Sequence, residues 1–561
     1  MCIKSAMKLM HSSQPEPQAC LRSPNLVWFY RAFELIFFLL LILWATGGIP
    51  AFSSSLMSFF DGHPKYFRKL LVFSGGAAAI TGIFLLEWAR RDARITPHSF
   101  LSRMIGSARN ASGYWTLGLF LIFGALWTAS SLLRHAAFDS SFDMAIFTQA
   151  IWNTTRGDWF YSSIKGGISL LGDHFSPFLA VLALPYKIWP EPGFLLAIQA
   201  FSVASCVVPI SRIVKRSGQS PAWAVLFCLL FILYRSVRNS VRFDFHPEVV
   251  AMPLLFWSFF FLEEKRAWRA SLFLALALMA KENIAAVAFG LGVYALIKKE
   301  QQTGFGIFWV LASGIYLYFI VNRVIPAISG APYAYLGGNF TEWIRLGWGP
   351  LATHLLKSST FSYIAAIYGP LAFTSFLAPL QLILTLPILA QNLLSRNEMT
   401  RDLLFHYAAP LIPFVFISSV TAISKIRSGR RYWGYLLLIT SVFMSGPSEV
   451  YPMRRMWIMI TPHAREVAAM LKKIPAGQSL RTHEFFAPHA ANRKHLHIFE
   501  NNHPKEGGSW AARHTDLVAI DRSILKEKFD AALNELKNTG YTVSFERDGF
   551  VILEYKTGVS R

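Results

Sequence analysis

A polar stretch at residues 138–178 holds the side chains best suited to chemistry in an otherwise apolar chain. Its ionisable residues are Asp139, Asp143, Asp158, Lys165, Asp173 and His174. A loop that only joined two membrane helices could be far shorter. A carboxylate held in such a loop can take a proton from a substrate. We therefore expect the stretch to hold a reaction centre at the membrane surface.

Asp143 is the candidate catalytic base, and a second interpretation exists for it. It comes just before MAIFTQAIW, a segment with the composition of a helix, and aspartate is a favoured residue at a helix N-cap. The two roles are compatible. Asp139, four residues earlier, is interpreted as a solvated loop residue.

Asp173 and His174 stand where the polar loop meets an apolar run. They are candidate substrate-binding residues that could contact an acceptor. As neighbouring carboxylate and imidazole they could also supply two ligands to a divalent metal ion, which falls short of a closed site. The alternative is that they simply begin an interfacial helix.

Two further polar motifs interrupt the apolar runs. His246-Pro247-Glu248 has the pattern of a helix start, because proline favours the first helical position and glutamate complements the helix dipole. Lys281-Glu282 separates two apolar runs of fourteen residues each, and it could be a membrane-edge turn closed by an ion pair. Ionisable residues at such depth more often serve function, so all four ionisable residues are candidates for substrate binding.

Lys281 is the leading candidate among the cations. Weaker candidates, interpreted mainly as interfacial side chains, are Arg134, Lys165, Arg238 and Arg242. His406 and Tyr407 could line the same cavity, although a structural role for the histidine is the preferred interpretation.

The composition indicates an all-α polytopic membrane protein: 53% of residues are hydrophobic and 15% are charged, against roughly 25% charged in soluble proteins. The net charge of +22 lies in short segments between apolar runs, which indicates topology and lipid headgroups and not nucleic acid. About thirteen apolar runs could span a bilayer. They are 27–48, 70–88, 114–133, 193–212, 221–235, 248–262, 268–281, 284–297, 305–324, 361–376, 378–394, 407–424 and 433–446.

The basic residues predict the orientation. Five arginines between residues 90 and 109 place that segment in the cytoplasm by the positive-inside rule. The N-terminus is then cytoplasmic and the loop 134–175 lies outside. Residues 175–189 contain prolines and are interpreted as an interfacial or re-entrant piece, since a full span there would move later basic clusters outside.

Three regions follow from this pattern. Residues 1–113 form an N-terminal extension with two spans, and residues 114–446 form the main transmembrane domain. Residues 447–561 are predicted to form a small extracytoplasmic α/β domain. Its predicted elements are a helix near 463–474, strands at LRTH, HLHIF and DLVAIDR, a helix near 523–538, and a final hairpin that turns at Asp548-Gly549.

A set of short motifs resembles a known family. FDMAIFTQAIWN, LGDHFSPFLAVLALPYKIWPEP, DFHPE, KEN and PHAANRKHLHIF together resemble the bacterial membrane proteins designated domain of unknown function twenty seventy-nine. That family is grouped with the GT-C glycosyltransferases. The resemblance covers roughly residues 114–530. The chain departs from the family pattern at Met144, Ala145 and Thr148, while Asp143 is retained.

The resemblance implies a GT-C-like fold whose first outer loop carries an acidic catalytic residue. It also implies an inverting glycosyltransferase in the bacterial inner membrane. The donor would be a sugar on a polyprenyl-phosphate lipid, transferred to an extracytoplasmic acceptor. Because phosphate is already a good leaving group, one carboxylate to accept a proton and cations to steady the phosphate would suffice.

Two other classes fit parts of the pattern. A secondary transporter would use buried ionisable residues as a substrate or proton path. Transporters usually show internal pseudo-symmetry and paired broken helices at the midplane, whereas this chain has one long outer loop and a soluble domain. A non-catalytic membrane scaffold that keeps the fold is the third possibility, because the motif departs from the family pattern between Met144 and Thr148.

Overall fold

The computed structural model describes residues 112–300, 302–336, 340–426, 430–445, 450–499, 510 and 514–556. The chain divides into two compact units, Met1–Ser107 and Ala108–Arg561, and every described residue belongs to the second. The expected N-terminal extension and its spans at 27–48 and 70–88 lie outside the described residues.

The described part of the chain between residues 112 and 459 is almost entirely helical. Its α-helices are α1 (Ser112–Ala136), α2 (Phe142–Thr154), α3 (Phe178–Tyr186), α4 (Pro192–Ser205), α5 (Val207–Arg216), α6 (Pro221–Leu233), α7 (Arg235–Arg242), α8 (Pro247–Val250), α9 (Met252–Glu263), α10 (Ala267–Leu278), α11 (Ile284–Lys298), α12 (Thr303–Phe319), α13 (Ile325–Ser329), α14 (Ala334–Leu336), α15 (Glu342–Leu346), α16 (Trp348–Leu355), α17 (Ser358–Tyr368), α18 (Pro379–Leu382), α19 (Leu386–Leu394), α20 (Ile412–Lys425), α21 (Arg430–Ser445) and α22 (Val450–Met459). A two-residue hairpin of β1 (Tyr161–Ser162) and β2 (Ile168–Ser169) lies in the polar loop. Helix α22 was not predicted.

Hydropathy identifies fewer spans in the structure than in the sequence. Among the described residues, three helical stretches are long and apolar enough to cross a bilayer: Tyr114–Ala136, Pro192–Arg216 and Thr303–Ser329. Helices α6 and α7 would form a fourth span if counted together across their 52° bend. Five shorter apolar helices accompany them. The expected total of about thirteen spans therefore stays a prediction.

Residues 175–189 form a short helix. Helix α3 has nine residues, which is about 14 Å of helix against a hydrocarbon core of about 30 Å. It is too short to cross the bilayer on its own, in line with the interfacial interpretation.

The C-terminal residues form a mixed sheet flanked by helices. Its elements are α23 (Pro462–Lys473), β3 (Leu480–Thr482), β4 (Leu496–Ile498), β5 (Leu517–Asp521), α24 (Arg522–Leu525), α25 (Phe529–Asn538), β6 (Tyr541–Arg547) and β7 (Phe550–Tyr555). The strand order is β4-β3-β5-β7-β6. Strands β4, β3 and β5 are parallel, and β7 runs antiparallel to both β5 and β6. The predicted strands and final hairpin are present at the expected residues.

The candidate residues lie where helices begin or end. Asp143 is in the first turn of α2, Glu248 is in the first turn of α8, and Lys281-Glu282 connects α10 to α11. Apolar runs thus build the packed body, and the breaks between them place polar side chains together.

Candidate functional site

The N-terminus of α2 is capped by a residue from another segment. Asp244 accepts hydrogen bonds from the Ser141 amide at 2.9 Å, the Ser141 hydroxyl at 2.8 Å and the Met144 amide at 3.3 Å. An anion at this position also complements the helix dipole. The alternative interpretation of Asp143 as the cap is therefore wrong, and its carboxylate is not used in capping.

Asp244 is held by a buried ion pair. Its Oδ1 lies 2.9 Å from Nη1 of Arg134, whose Nε also pairs with Asp139 at 3.1 Å. Sequence reasoning missed Asp244, although it begins the DFHPE motif. Arg134, a weaker phosphate candidate, is committed to this pair. Asp139 is part of the same ion-pair group and is not merely a solvated loop residue.

His246 faces Asp143. Its Nδ1 lies 2.9 Å from the backbone carbonyl of Asp244. A carbonyl can only accept, so Nδ1 carries the proton and the neutral ring has a bare Nε2. That Nε2 is 3.8 Å from Oδ2 of Asp143. The ring stacks on His406 with 3.5 Å between centroids.

The surroundings of Asp143 raise its proton affinity. The side chain keeps 27% of its surface exposed, yet burial, reinforced by the nearby Asp244 carboxylate, raises its pKa from 3.8 to about 7. Lys281 and Lys165 oppose the increase, which places both cations within electrostatic reach. A partly exposed carboxyl group with this pKa can exchange protons near neutral pH.

Glu248, Lys281 and His406 form a buried group beside this pair. Lys281 Nζ donates to Glu248 Oε1 at 2.8 Å, and His406 Nε2 lies 3.2 Å from the same oxygen. The expected ion pair between adjacent Lys281 and Glu282 does not form, because each pairs with another segment. His406 thus lies in the cluster, and its preferred interpretation as a structural histidine stays a prediction.

Asp173, His174 and Glu282 form the second half of the cluster. His174 Nδ1 lies 2.8 Å from Glu282 Oε1, and the Phe175 amide donates to Glu282 Oε2 at 2.8 Å. Asp173 pairs with Lys165 at 2.9 Å. Since Lys281 and Glu282 are adjacent in sequence, the two halves share one connection.

Two tyrosines after α13 complete this half and were missed. Tyr333 donates to Glu282 Oε1 at 2.7 Å, and Tyr335 donates to Asp173 Oδ1 at 3.2 Å. The Tyr335 ring stacks on His174 with centroids 4.5 Å apart. Their segment, SGAPYAYL, carries no ionisable side chain that could have served as a signal besides the tyrosines themselves.

Gly172 permits this approach. A Cβ at this position would lie 2.9 Å from Cγ2 of Ile328 and 3.0 Å from the Ser329 amide nitrogen. These distances are shorter than a carbon can tolerate, so a side chain at 172 would push the two segments apart. The glycine therefore lets the chain leading to Tyr333 pack against the loop that carries Asp173.

Arg238 and Arg242 are the other weaker cation candidates. The Arg238 guanidinium donates to the Ser445 carbonyl. Arg242 contributes its backbone carbonyl to Arg134 at 2.9 Å.

Asp173 and His174 are the weak candidates for a metal ion. Asp173 and His174 bond to different partners, and the part of the chain that the structure describes has no group of three histidine, cysteine or carboxylate side chains placed to hold one. Their side chains belong to an ion-pair network, and a metal ion at Asp173 and His174 stays a prediction.

The C-terminal sheet region packs directly on helix α2. Ala145, two residues after Asp143, is buried in the same apolar core as Leu480 and Leu517. The Gln149 amide donates to the carbonyls of Arg493 and Lys494, each at 3.1 Å. The PHAANRK segment of the family-like motif thereby fixes the helix that carries Asp143.

These features define a polytopic membrane protein with a buried network of acids, bases and histidines at the ends of its helices. Residues 134–552 match the family model described as "Predicted membrane protein (DUF2079)". The chain belongs to this family, as its motifs predicted. The comparison with curated proteins finds no match.

Two solved membrane enzymes are similar in part. ArnT from Cupriavidus metallidurans, in a structure bound to undecaprenyl phosphate, has a TM-score of 0.49 at 12% identity, over 80% of this chain and 99% of that one. The Archaeoglobus fulgidus oligosaccharyltransferase in its apo form has a TM-score of 0.39 at 12% identity, over 80% of this chain and 75% of that one. At these values neither likeness establishes a shared activity.

Proposed function

We propose that the protein is an inverting membrane glycosyltransferase that moves a sugar from a polyprenyl-phosphate carrier to an acceptor on the extracytoplasmic side of the inner membrane. The observation that carries the proposal is the environment of the Asp143 carboxylate. This carboxylate is partly exposed, is not used as a cap, has a pKa raised to about 7, and lies beside His246 and within electrostatic reach of two lysines. The family resemblance supports the donor class and the outer location.

The chemistry needs one base. A hydroxyl or amine of the acceptor attacks the anomeric carbon of the sugar, and Asp143 takes its proton as the new bond forms. The bond between that carbon and the phosphate oxygen breaks, and the oxygen keeps the electron pair. Attack from the face opposite the leaving phosphate inverts the anomeric configuration.

The phosphate that leaves needs positive charge. Lys281 uses one of its three donors for Glu248, so two remain. Lys165 stands on the other half of the cluster and is paired with Asp173. In this proposal both ammonium groups face the phosphate and steady its charge.

His246 and the second half of the cluster have supporting roles. The bare Nε2 of His246 lies beside Asp143. It can accept a hydrogen bond from the carboxyl group once Asp143 has taken the proton of the acceptor. Asp173, His174, Glu248 and Glu282 would orient the sugar and acceptor through their remaining hydrogen-bonding capacity. No step requires a metal ion.

The test uses purified protein in proteoliposomes and a panel of labelled polyprenyl-phosphate sugars. Wild type should transfer label from one donor, and Asp143→Asn should reduce the rate by about 10² to 10⁴, the usual contribution of a general base. Asp158→Asn is the control, because this carboxylate is on the same loop but pairs at the surface with Lys494 at 2.8 Å.

Two results would reject the proposal. One is transfer at the wild-type rate by Asp143→Asn. The other is movement of a solute across the proteoliposome membrane without any transfer from the whole panel, which would favour the transporter.

A further inference from the structure

Helix α3 exposes an apolar face. Val181 and Leu184 are 52% and 72% exposed, and Ile188, two residues beyond the helix, is 88% exposed, while the opposite face is buried through Leu179 and Leu182. A short helix that is apolar on its outer face suits the boundary between lipid headgroups and acyl chains. The face therefore points to lipid as its surroundings.

A cavity of about 440 Å³ adjoins the C-terminal end of this helix. It is lined by Trp152, Thr155, Arg156, Tyr186, Lys187 and Pro190. The first three follow from the end of α2 and the others from the end of α3. The Arg156 guanidinium lies over the Trp152 ring, 4.5 Å from its centroid, which holds the cation at the cavity wall.

The positive charge of the cavity is not neutralised by its neighbours. The two nearest carboxylates in sequence are already paired with lysines from the C-terminal region. Asp158 pairs with Lys494 at 2.8 Å, and Glu191 pairs with Lys472 at 3.0 Å. Within the described residues, Arg156 and Lys187 are left without an acidic partner.

The walls are fixed by hydrogen bonds. Tyr186 donates to the Asn492 side-chain oxygen at 2.8 Å, and the Asn492 amide donates to the Pro190 carbonyl at 2.6 Å. The Thr155 hydroxyl donates to the Trp152 carbonyl at 2.6 Å, which leaves its oxygen able to accept a hydrogen bond. A site held in this way loses little conformational freedom when a ligand binds.

We propose that this cavity binds the phosphate of an anionic membrane lipid, whose hydrocarbon chain lies along the exposed apolar face of α3. Arg156 and Lys187 would contact the phosphate oxygens at headgroup depth. The cavity is at the opposite end of α2 from Asp143, about 15–20 Å along a helix of this length. It is a second site and does not depend on the proposed transferase activity.

The ligand has two possible sources, the headgroup of a resident phospholipid and the phosphate of a polyprenyl carrier. Both offer a lipid-linked phosphate. The experiment is native mass spectrometry of the purified full chain titrated with phosphatidylglycerol, phosphatidylcholine or an undecaprenyl phosphate. Wild type is compared with Arg156→Gln/Lys187→Gln. The control is Lys537→Gln/Lys556→Gln, which removes two exposed cations from the C-terminal sheet region.

Wild type and control should bind one more anionic lipid than the double variant. At about a fivefold effect for each cation near a lipid surface, affinity should fall about 25-fold when both are removed. Arg156→Lys/Lys187→Arg keeps the charge and should retain binding within a few fold, which distinguishes lost charge from lost folding. Phosphatidylcholine should bind weakly to all forms.

The titrations also identify the source. Tighter binding of phosphatidylglycerol supports a resident phospholipid, and tighter binding of undecaprenyl phosphate supports a carrier site. Equal retention of every lipid by wild type and Arg156→Gln/Lys187→Gln would overturn the proposal. Equally strong phosphatidylcholine binding would also overturn it, because that lipid carries no net charge.

Discussion

Replacing Asp143 by asparagine should make the folded protein more stable at alkaline pH. In the folded state the pKa of this carboxyl is raised from 3.8 to about 7 by burial and by Asp244. Ionising it in place therefore costs at most about 4 kcal/mol, at 1.36 kcal/mol for each tenfold change in proton affinity. An asparagine side chain at this position would have the same shape and no charge to desolvate.

The sign follows from proton binding. Between about pH 4 and pH 7 the folded carboxyl holds a proton that the unfolded one has lost, so the unfolding free energy of wild type falls as pH rises. The unfolding free energy of Asp143→Asn lacks this fall. The stability gain of the variant over wild type should be absent below about pH 4, grow up to about pH 7, and then stay constant.

The assay is thermal or denaturant unfolding in detergent at several pH values, with Asp158→Asn as the surface control. The expected result is a pH-dependent gain for Asp143→Asn and no gain for the control. A lower stability for Asp143→Asn at all pH values would refute the reasoning, since it would mean that the ionised carboxylate is stabilised by the fold. A gain in stability with a loss of transfer is typical of residues kept for function.

Other substitutions test the supports of the cluster. Asp244→Asn should lower the unfolding free energy by about 3 kcal/mol because the Arg134 charge loses its buried partner; the Arg134→Gln/Asp244→Asn double variant should recover part of this, and additive losses would contradict the pairing. Lys281→Met should cost about 3–5 kcal/mol by leaving Glu248 buried without its cation, and Glu248→Gln in the same chain should restore most of it in the same unfolding assay. Gly172→Ala should cost about 1–3 kcal/mol through overpacking and speed hydrogen exchange at residues 330–336, whereas unchanged exchange would argue against the close approach.

The sequence could identify Asp143 as a candidate site residue because it stands in a polar break beside a recognisable motif. It could not reveal Asp244 as the cap of the same helix. Asp244 lies 100 positions after Met144, whose amide it binds, and the cap depends on Arg134 being packed beside it. A helix that lacks a side-chain cap at Ser141 gives no local sign of where its anion comes from.

The two tyrosines of the candidate site also could not be found from local sequence. Tyr333 and Tyr335 lie in a segment of ordinary aromatic and glycine composition, and the close approach of Gly172 to Ile328 and Ser329 helps bring them to Glu282 and Asp173. In the C-terminal region, by contrast, alternating apolar residues and an Asp-Gly turn suffice to predict the strands. Local pattern determines those elements, whereas the candidate site depends on contacts between distant segments.

Apolar runs were also an incomplete guide to spans. The run 378–394, for example, consists of α18, a 3₁₀ turn at Ile383–Thr385 and α19, which together form one of the shorter apolar helical stretches. Composition shows that such a segment is buried in an apolar environment. It does not show whether one continuous helix crosses the bilayer.

The most direct test of the central claim is the pH dependence of the initial transfer rate in proteoliposomes, measured with the donor that wild type accepts. If Asp143 is the base, the rate should rise about tenfold per pH unit below pH 7 and level off above its pKa of about 7. The rise should be absent from the residual activity of Asp143→Asn. A rate that stays constant down to about pH 5, or the same profile in both proteins, would contradict the assignment of the base.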